Sequence, residues 1–388
     1  MINLPKNELV EPESVNIDSS RLEKVVRLFE SQHQNGSFPG GQLVLRRDKQ
    51  LIISDAVGIA RGFRPTEKAP PMSVTPRTAF PVLSAGKPLA AITIALLEDW
   101  GALDIHTPIA QIIPGFARHG KEKITVLDVL THRSGLLMPG FVENTRLWGS
   151  REEIRTALIE CVPSHPRGTL AYHPHEYGWI LNEIVLEVDG RCLPTFFEEE
   201  IATPLQLPTL RFGLSGRDIN GLAFSYWLGP KEVIVAGSNV ARDFEWLNSE
   251  ECFNAKNPAT SLVTNAESIA AFYDFLISGG KAPGGRQLIS EDLLQRYTSQ
   301  SVFGWDRSLK TVITIGRGFV VGSWIPSSFG WWNTRKCFGH AGGFSSLAFG
   351  DYDRNISAAI ITNGNTSPSD FARRFIPLAE GLRKACRK

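Results

Sequence analysis

The stretch FPVLSAGKPLA, residues 80–90, places a serine and a lysine three residues apart where a helix begins. The apolar run AITIALLEDWG follows, and Gly101 is in place to end it, so the pattern predicts a buried helix starting near Ser84. Positions i and i+3 share a helix face, which brings the Ser84 hydroxyl beside the Lys87 amine. Two interpretations are open from these residues: a capping serine beside a solvated lysine, or a nucleophile beside its base.

A serine next to a buried lysine has the chemistry of a nucleophile. Burial disfavours the charged ammonium and lowers the lysine pKa, so a neutral Lys87 amine could take the proton of Ser84. The N–H groups of a first helical turn have no partner within the helix and could stabilise an oxyanion. A second S-x-x-K, Ser278 to Lys281, follows a predicted helix in a glycine-rich segment and is interpreted as a surface loop. Four residues alone therefore do not identify a nucleophile.

The bulk composition indicates a large core and no excess of charge. The 388 residues are 42% hydrophobic and 21% charged, with a formal net charge of +1. These values are typical of a globular protein. The near-neutral balance offers no electrostatic footprint for nucleic acid or an anionic membrane. No run approaches the ~18 apolar residues of a membrane span. We therefore expect neither a nucleic-acid partner nor a membrane partner.

The cysteines and the N-terminus favour a cytoplasmic location. The five cysteines lie far apart, form no C-x-x-C or Cys/His cluster, and are odd in number. This is typical of free thiols in a reducing compartment. The opening residues, MINLPKNELVEPESVNIDSSRLEKVV, lack the apolar core of a signal peptide. We expect no metal site and no cofactor from these patterns.

The order of strand and helix patterns predicts an α+β fold. GGQLVLRRDKQLIISDAVGIAR, from residue 40, has the pattern of two strands, and CFGHAGGFSSLAFGDYDRNISAAIITNG, from residue 337, that of two more. Segments between them, such as EYGWILNEIVLEVDG and NAESIAAFYDFLISGG, have helical periodicity. We predict a single unit over 1–388, in which helices flank an antiparallel sheet. Residues 1–80 and 300–388 would supply the sheet, and residues 81–299 a mostly helical insertion.

The residues after Ser84 resemble a known family. SAGKPLAAITIALLEDWGALDIHTPIAQIIPGF and then ITVLDVLTHRSGL are similar to the serine β-lactamase/penicillin-binding-protein superfamily. The match is best to its class C β-lactamase-like branch, with family VIII carboxylesterases, D-amino-acid peptidases and acyltransferases. There an S-x-x-K helix precedes segments like Gly101–Ile105 and Leu130–Leu136. The resemblance runs from about residue 38 to about residue 365. It implies a β-lactamase/transpeptidase-like fold with Ser84 as nucleophile and Lys87 beside it.

The resemblance also assigns a catalytic role to Tyr172. The branch carries a Y-x-N motif with another tyrosine five residues on, and LAYHPHEYGWILNEIVLEVDG keeps that spacing. Pro174 stands where asparagine is expected, which weakens the case for β-lactam or peptide substrates. We expect Tyr172 to act as a general base or proton shuttle, its pKa lowered by Lys87. His173 and His175 are interpreted as partly exposed loop residues.

A third family motif, K-T-G or H-x-G, is matched by His340–Ala341–Gly342 on a predicted strand. The resemblance implies a catalytic-site role for His340. Glycines at this place would let a substrate lie along the strand edge. The resemblance further implies that the N–H of Gly343 joins that of Ser84 as the oxyanion hole, with Gly342 beside the substrate.

These motifs predict a serine hydrolase that acts through an acyl-enzyme on a small-molecule ester, amide or thioester. An esterase fits best. An acyltransferase or transesterase of small-molecule biosynthesis, a D-amino-acid peptidase, a β-lactamase and a catalytically silent binding protein on the same fold stay open. An α/β-hydrolase is disfavoured, because the chain has no G-x-S-x-G elbow.

Overall fold

A nine-stranded antiparallel sheet lies at the centre of the fold. The structure is a computed structural model that describes residues 9–67, 70–138, 148–214, 219–230, 232, 234–235, 238–239, 246–365 and 367–386. Numbered along the chain and given in spatial order, the strands are β10 (Val302–Asp306), β11 (Thr311–Ile315), β12 (Val320–Val321), β13 (Cys337–Gly342), β14 (Ser346–Asp351), β15 (Ile356–Thr362), β1 (Gly40–Arg47), β2 (Gln50–Arg61) and β3 (Met72–Ser73).

Short strands form three smaller sheets beside the large one. The first is β4 (Phe80–Pro81), β9 (Leu262–Thr264) and β5 (Arg211–Phe212). In the other two, β16 (Gly364–Asn365) pairs with β6 (Tyr226–Trp227), and β7 (Ile234–Val235) pairs with β8 (Ser238–Asn239).

Helices cover both faces of the central sheet. Among the described residues the α-helices are α1 (Ser19–Gln34), α2 (Lys87–Asp99), α3 (Ile109–Ile112), α4 (Val126–Leu130), α5 (Arg151–Glu160), α6 (Glu176–Asp189), α7 (Leu193–Phe197), α8 (Glu250–Asn254), α9 (Ala266–Ile277), α10 (Glu291–Thr298) and α11 (Pro368–Ala385). No helix in these ranges is both long enough and apolar enough to cross a bilayer.

Strand β1 shows why the two ends of the chain share one sheet. It pairs with β15 on one side and with β2 on the other, both antiparallel. Successive side chains point to opposite faces of a strand. Leu43 and Leu45 pack in the cluster that contains residues of α1 and α11, and Val44 packs in the cluster of α2 and α9. The predicted α+β fold, with a sheet from both terminal segments, is confirmed; the subdivision at residues 80 and 300 stays a prediction.

Two helices depart from simple sequence rules. The helix that begins at Val126 ends at Leu130, because His132 and Gly135 have left-handed backbones with φ of 56° and 78°. The C-terminal helix α11 continues through Pro377. Its apolar residues pack onto the sheet and α1, which outweighs the hydrogen bond that a proline removes.

Candidate active site

Ser84 lies in a 3₁₀ turn, Leu83–Gly86, that leads directly into α2. The Lys87 ammonium nitrogen is 3.0 Å from the Ser84 hydroxyl oxygen. Leu83 has a left-handed backbone, with φ of 51°, a conformation that persists in non-glycine residues only where the surroundings enforce it. Here the neighbouring Val82 is held by a bond from its N–H to the Leu262 carbonyl at 3.0 Å. The second S-x-x-K is a surface loop as interpreted, with Lys281 exposed.

Lys87 is fully buried and its side chain is held by backbone carbonyls. The Nζ atom donates to the Pro174 oxygen at 2.8 Å and to the Ala259 oxygen at 3.2 Å. Burial lowers the pKa of Lys87 to about 7, against an opposing effect of the Glu176 carboxylate. The predicted lowering of the lysine pKa is confirmed. A large fraction of the amine is therefore neutral near pH 7, where it can accept the Ser84 proton.

Tyr172 reaches both members of the pair. Its hydroxyl is hydrogen-bonded to Ser84, and its ring centroid is 4.9 Å from the Lys87 nitrogen. Burial raises the pKa of Tyr172, and the bond to Ser84 offsets this only in part. The prediction of a lowered pKa is wrong, because desolvation of a phenolate outweighs any neighbouring charge here. Tyr172 is thus a protonated phenol at neutral pH, suited to relay a proton rather than to act as a phenolate base.

Pro174, which stands where the family motif has asparagine, supplies a backbone acceptor in place of a side chain. Its segment is linked to the other acceptor by Asn257, a fully buried residue. The Asn257 amide nitrogen donates to the His175 carbonyl at 3.2 Å, and its oxygen accepts from the Ala259 N–H at 2.8 Å. Asn257 was not singled out from the sequence, since it belongs to none of the motifs. It positions both carbonyls that hold Lys87.

A cluster of neutral imidazoles surrounds the lysine and the tyrosine. The His132 ring lies 4.7 Å from the Tyr172 ring, and its Nδ1 accepts from the His173 N–H at 3.1 Å. Burial holds the pKa of His132 well below its usual value and lowers that of His173 to about 3. His173 is fully buried, with Nε2 3.1 Å from the Ser134 hydroxyl, so its interpretation as a partly exposed loop residue is wrong. His175, by contrast, is half-buried and lines the cavity.

His340 lies on β13 with its ring centroid 6.0 Å from that of Tyr172. Its Nδ1 is 2.5 Å from the Ala341 carbonyl oxygen. A carbonyl only accepts hydrogen bonds, so Nδ1 carries the proton and Nε2 has the lone pair. Nε2 is buried and has no hydrogen-bond partner among the described residues. Burial lowers the pKa of His340 to about 3, so it presents a neutral acceptor.

Gly342 and Gly343 lie against the turn that carries Ser84. A Cβ at Gly342 would overlap the Val82 carbonyl oxygen, and Gly343 has a left-handed φ of 47°. The Gly342 carbonyl accepts from the Ser345 N–H at 2.8 Å, from the Ser345 hydroxyl at 3.2 Å and from the Ser346 hydroxyl at 3.4 Å. A trans peptide is planar, with its N–H opposite its C=O. Fixing the Gly342 carbonyl therefore fixes the direction of the Gly343 N–H.

Ser346 and Asn365 connect this strand end to its surroundings. The Ser346 hydroxyl also donates to the Val82 carbonyl at 2.9 Å, so it bridges the two backbone segments next to Ser84. The side-chain amide of Asn365, a fully buried residue, donates to the Gly343 carbonyl. Sequence reasoning missed both residues. Ser346 follows the H-x-G motif closely enough to have been a signal.

A cavity of about 460 Å³ opens beside these groups. Its lining contains Ser84, Tyr172, His340 and Gly343, so the structure brings four of the predicted site residues to one surface. Lys87 touches this group from beneath. None of the described residues lining the cavity is Lys, Arg, Asp or Glu. The described ranges also contain no group of three or more His, Cys, Asp or Glu side chains arranged to hold a metal ion.

Comparison with known proteins fits this geometry. A family profile described as Beta-lactamase matches residues 25–382. The chain belongs to the beta-lactamase family. A curated relative, Esterase/beta-lactamase LipL of Mycobacterium tuberculosis (strain ATCC 25618 / H37Rv), is 26% identical over 375 residues, covering 90% of this chain and 82% of that protein.

Solved structures agree with the family assignment. A novel penicillin-binding protein homolog from Caulobacter crescentus has a TM-score of 0.80 and 26% identity, covering 95% of this chain and 98% of that one. A family VIII carboxylesterase has a TM-score of 0.79 at 22% identity, with coverage of 95% and 98%, and shows the fold alone. The predicted resemblance is confirmed. This member of the beta-lactamase family is a serine hydrolase that acts through an acyl-enzyme.

Proposed function

We propose that this enzyme is a carboxylesterase that hydrolyses uncharged esters, with Ser84 as its nucleophile. The observation that carries the proposal is the lining of the cavity, which has no ionised side chain among its described residues. The imidazole of His340 is neutral at physiological pH, because burial lowers its pKa to about 3. Among the described residues, no cationic side chain lines the cavity to pair with a carboxylate on a peptide or β-lactam, so entry of that carboxylate would carry a large desolvation cost. An uncharged ester avoids that cost.

The position of Pro174 supports an ester over an amide. Its carbonyl oxygen is occupied by the Lys87 nitrogen at 2.8 Å, and proline has no side-chain amide to offer. An amide substrate brings an N–H that needs an acceptor, whereas an ester brings none. The name of one relative, Esterase/beta-lactamase LipL, includes this activity.

In the proposed mechanism the Lys87 amine removes the proton from Ser84 Oγ, which attacks the ester carbonyl carbon. The N–H groups of Ser84 and Gly343 bind the oxyanion that forms. As the intermediate collapses, the Tyr172 hydroxyl gives its proton to the departing alkoxide and recovers one from the Lys87 ammonium. Water then enters and gives a proton to Lys87 through the Tyr172 hydroxyl, while its oxygen attacks the acyl carbon. As the bond to Ser84 Oγ breaks and the acid leaves, the Lys87 ammonium returns that proton to Oγ.

The proposal is tested with p-nitrophenyl acetate and intact-protein mass spectrometry. We expect turnover, a transient mass increase of one acetyl group, and loss of both in Ser84→Ala. Ser278→Ala is the matched control, because it removes the serine of the other S-x-x-K, and it should keep full activity. Activity that survives Ser84→Ala would overturn the proposal. So would faster turnover of nitrocefin or of a D-alanyl-D-alanine peptide than of the ester.

We also propose a cytoplasmic location. All five cysteines lie within the described residues, and each is a free thiol. Free thiols, three of them buried, suit a reducing compartment, where they are not at risk of oxidation. Fractionation of the producing cells tests this, and recovery of the protein outside the cytoplasmic fraction would contradict it.

A further inference from the structure

The central sheet divides beside Ser84. Strand β11 pairs with β10 along its whole length but with β12 only at Ile315. Strand β13 pairs with β14 along its length but with β12 only at Phe338–Gly339. Among the described residues, no strand lies beside the edges of Thr311–Thr314 and His340–Gly342 that face away from those partners. Residues of both edges line the cavity, which therefore extends from Ser84 into the opening between β11 and β13.

The walls of this opening are mostly apolar, and its size exceeds what a small acyl group needs. At about 460 Å³ the cavity falls in the range that buries a drug-sized ligand. An acetyl group would occupy a small part of it. The apolar side chains that form its walls include Leu309, Val312, Ile313, Ile325, Pro326 and Phe371.

An exposed apolar patch continues the cavity outward; we call it the aromatic rim, and it consists of Phe303, Trp305, Val312 and Trp324. Trp305 pairs directly with Val312, so their side chains share a face, and they are 51% and 40% exposed. Phe303 lies two residues before Trp305 on that face and is 42% exposed. The ring of Trp324, which is 69% exposed, lies 6.0 Å from that of Phe303.

The aromatic rim meets the cavity at two places. Val312 belongs to both. Trp324 lies in the chain between Ser323 and Ile325, which both line the cavity. A contiguous apolar patch of this kind on a protein surface marks a binding site, and its continuity with the cavity indicates that one ligand occupies both.

We propose that the aromatic rim is the outer part of the substrate site and binds the distal end of a long hydrocarbon arm of the ester. The inference rests on the proposed esterase function and adds the substrate class: an ester with a long hydrocarbon arm. The arm is either the acyl chain or the alkyl chain of the alcohol. It would leave Ser84 through the opening between β11 and β13 and end on Trp305 and Trp324. Because none of the described residues that line this path is Lys, Arg, Asp or Glu, an uncharged chain is the complementary ligand.

The test is a chain-length series measured below the critical micelle concentration of each ester. One series varies the acyl chain, with p-nitrophenyl esters from acetate to dodecanoate. The other series varies the alcohol, with alkyl acetates from ethyl to dodecyl. In one series we expect kcat/KM to rise with chain length, by up to about fourfold per methylene where burial is complete and less on the exposed rim. Trp305→Ala and Phe303→Ala should each reduce kcat/KM about tenfold for the ten-carbon ester and leave the two-carbon ester within twofold.

Two matched control variants show whether an effect on the chain-length profile is specific to the aromatic rim or follows from the loss of any exposed tryptophan. Trp100, at the end of α2, is 50% exposed like Trp305, and Trp332 is 69% exposed like Trp324; neither lines the cavity. Trp100→Ala and Trp332→Ala should keep the chain-length profile of the wild type, whereas Trp324→Ala should flatten it.

The outcomes distinguish this inference from the proposed function. Hydrolysis of short esters with a kcat/KM that does not change with chain length in either series would contradict the role of the aromatic rim, while the proposed esterase function would remain supported. No turnover of any ester would remove the proposed function itself. Ser84→Ala protein that sediments with phosphatidylcholine vesicles, loses this binding in the added Trp305→Ala variant and shows flat ester profiles would assign the rim to a lipid surface instead.

Discussion

At the scale of single residues, the site replaces side-chain partners with backbone. The lysine beside the nucleophile is held by the carbonyls of Pro174 and Ala259, at 2.8 Å and 3.2 Å, rather than by a side-chain amide. A backbone carbonyl stays in place when its residue is replaced by another. The two acceptors of Lys87 therefore depend on the position of the backbone and not on which side chains these residues carry. Pro174 has no side-chain amide for a substrate to bind. In the proposed function this favours esters over amides and leaves the contact between Ser84 and Lys87 intact.

The pH dependence of the esterase should follow Lys87. Its pKa is lowered to about 7, and only the neutral amine accepts the serine proton, so kcat/KM for p-nitrophenyl acetate should rise through a midpoint near pH 7. His173 and His340 have pKa values lowered to about 3 and stay neutral throughout, and the raised pKa of Tyr172 places no descending limb below pH 9. Stopped-flow assays from pH 5 to pH 9 measure this.

Lys87→Arg is the control for that profile, because a guanidinium stays protonated and should leave no measurable rise. A midpoint near pH 4 to 5 would instead indicate a carboxylate as the base and contradict the assignment.

Ser346 tests the proposed oxyanion hole indirectly, because it bonds to the backbone near the two N–H donors and is not itself a donor to the oxyanion. Its hydroxyl contacts the carbonyls of Val82 and Gly342, which flank the two proposed N–H donors. In Ser346→Ala we expect kcat for p-nitrophenyl acetate to fall about tenfold, with KM within twofold. Removing an oxyanion-hole donor reduces kcat by about 10²–10³-fold, and a donor that stays but points in a slightly wrong direction should reduce it by less. A lower melting temperature with unchanged kcat would show that Ser346 is structural only. Ser345→Ala, which keeps its N–H bond to Gly342, should have the smaller effect.

The motif residues could be predicted from the sequence once local spacing was combined with the family resemblance. Ser84 and Lys87 share a helix turn, and the placing of Tyr172 and His340 beside them follows from the family pattern. Burial could not be read in the same way. The pKa of Tyr172 moves opposite to the prediction, and His173 is fully buried, because both residues pack against side chains about 40 positions earlier in the chain, such as His132 and Ser134.

At the scale of elements, the approach of α6 to the 257–260 loop sets the lysine acceptors. A Cβ at Gly178 would overlap both the Asn257 side-chain oxygen and the Ala259 nitrogen. Gly→Ala inside a helix ordinarily stabilises it by about 1 kcal/mol. Here we expect Gly178→Ala to lower the free energy of unfolding by about 1–3 kcal/mol and to reduce kcat, because the displaced loop carries the Ala259 carbonyl. Urea denaturation and steady-state kinetics measure the two effects.

Gly190 provides the comparison on the same helix. It ends α6 with a left-handed φ of 89°, and a Cβ there would meet nothing within 4 Å. Gly190→Ala should cost about 1 kcal/mol through its backbone conformation and leave kcat unchanged. Equal kcat losses in the two variants would show that the effect is global rather than transmitted through the loop.

The sequence predicts the long elements better than their breaks. α2 was evident from its unbroken apolar run. The segment that begins at Cys337 was predicted as two strands but forms three, because a turn between Gly342 and Ser346 separates β13 from β14. The opening between β11 and β13 was not evident either, because it arises from where β12 stops pairing, and a two-residue strand leaves no periodicity to detect. The left-handed turn at His132 was likewise hidden, since β-turn chemistry does not require that residue type.

At the scale of the whole molecule, the first and last helices, α1 and α11, are joined to each other and to the sheet. The Asp18 N–H donates to the Ala385 carbonyl at 2.9 Å, which joins the start of α1 to the end of α11. Arg383, nearly fully buried on α11, pairs with Asp351 of β14 at 2.8 Å and donates to the Trp332 carbonyl at 3.1 Å. Ile325 and Pro326, which line the cavity, lie a few residues before Trp332 in the chain. The bond from Arg383 therefore links the C-terminal helix to the segment that forms part of the cavity wall.

Arg383→Met tests how much of the fold depends on this connection. The substitution keeps an apolar stem but leaves the carboxylate of Asp351, which has no exposed surface, with Arg354 at 3.0 Å. Removing one partner of a buried pair costs about 3–5 kcal/mol, and we expect that loss in the free energy of unfolding by urea. Arg373→Met is the control on the same helix: its side chain is 79% exposed, and loss of its pair with Asp370 should cost less than about 1 kcal/mol. Equal free energies of unfolding for the two variants would mean that the buried Arg383–Asp351 pair stabilises the fold no more than a methionine does. Packing of α11 would then be enough to hold this helix to the sheet.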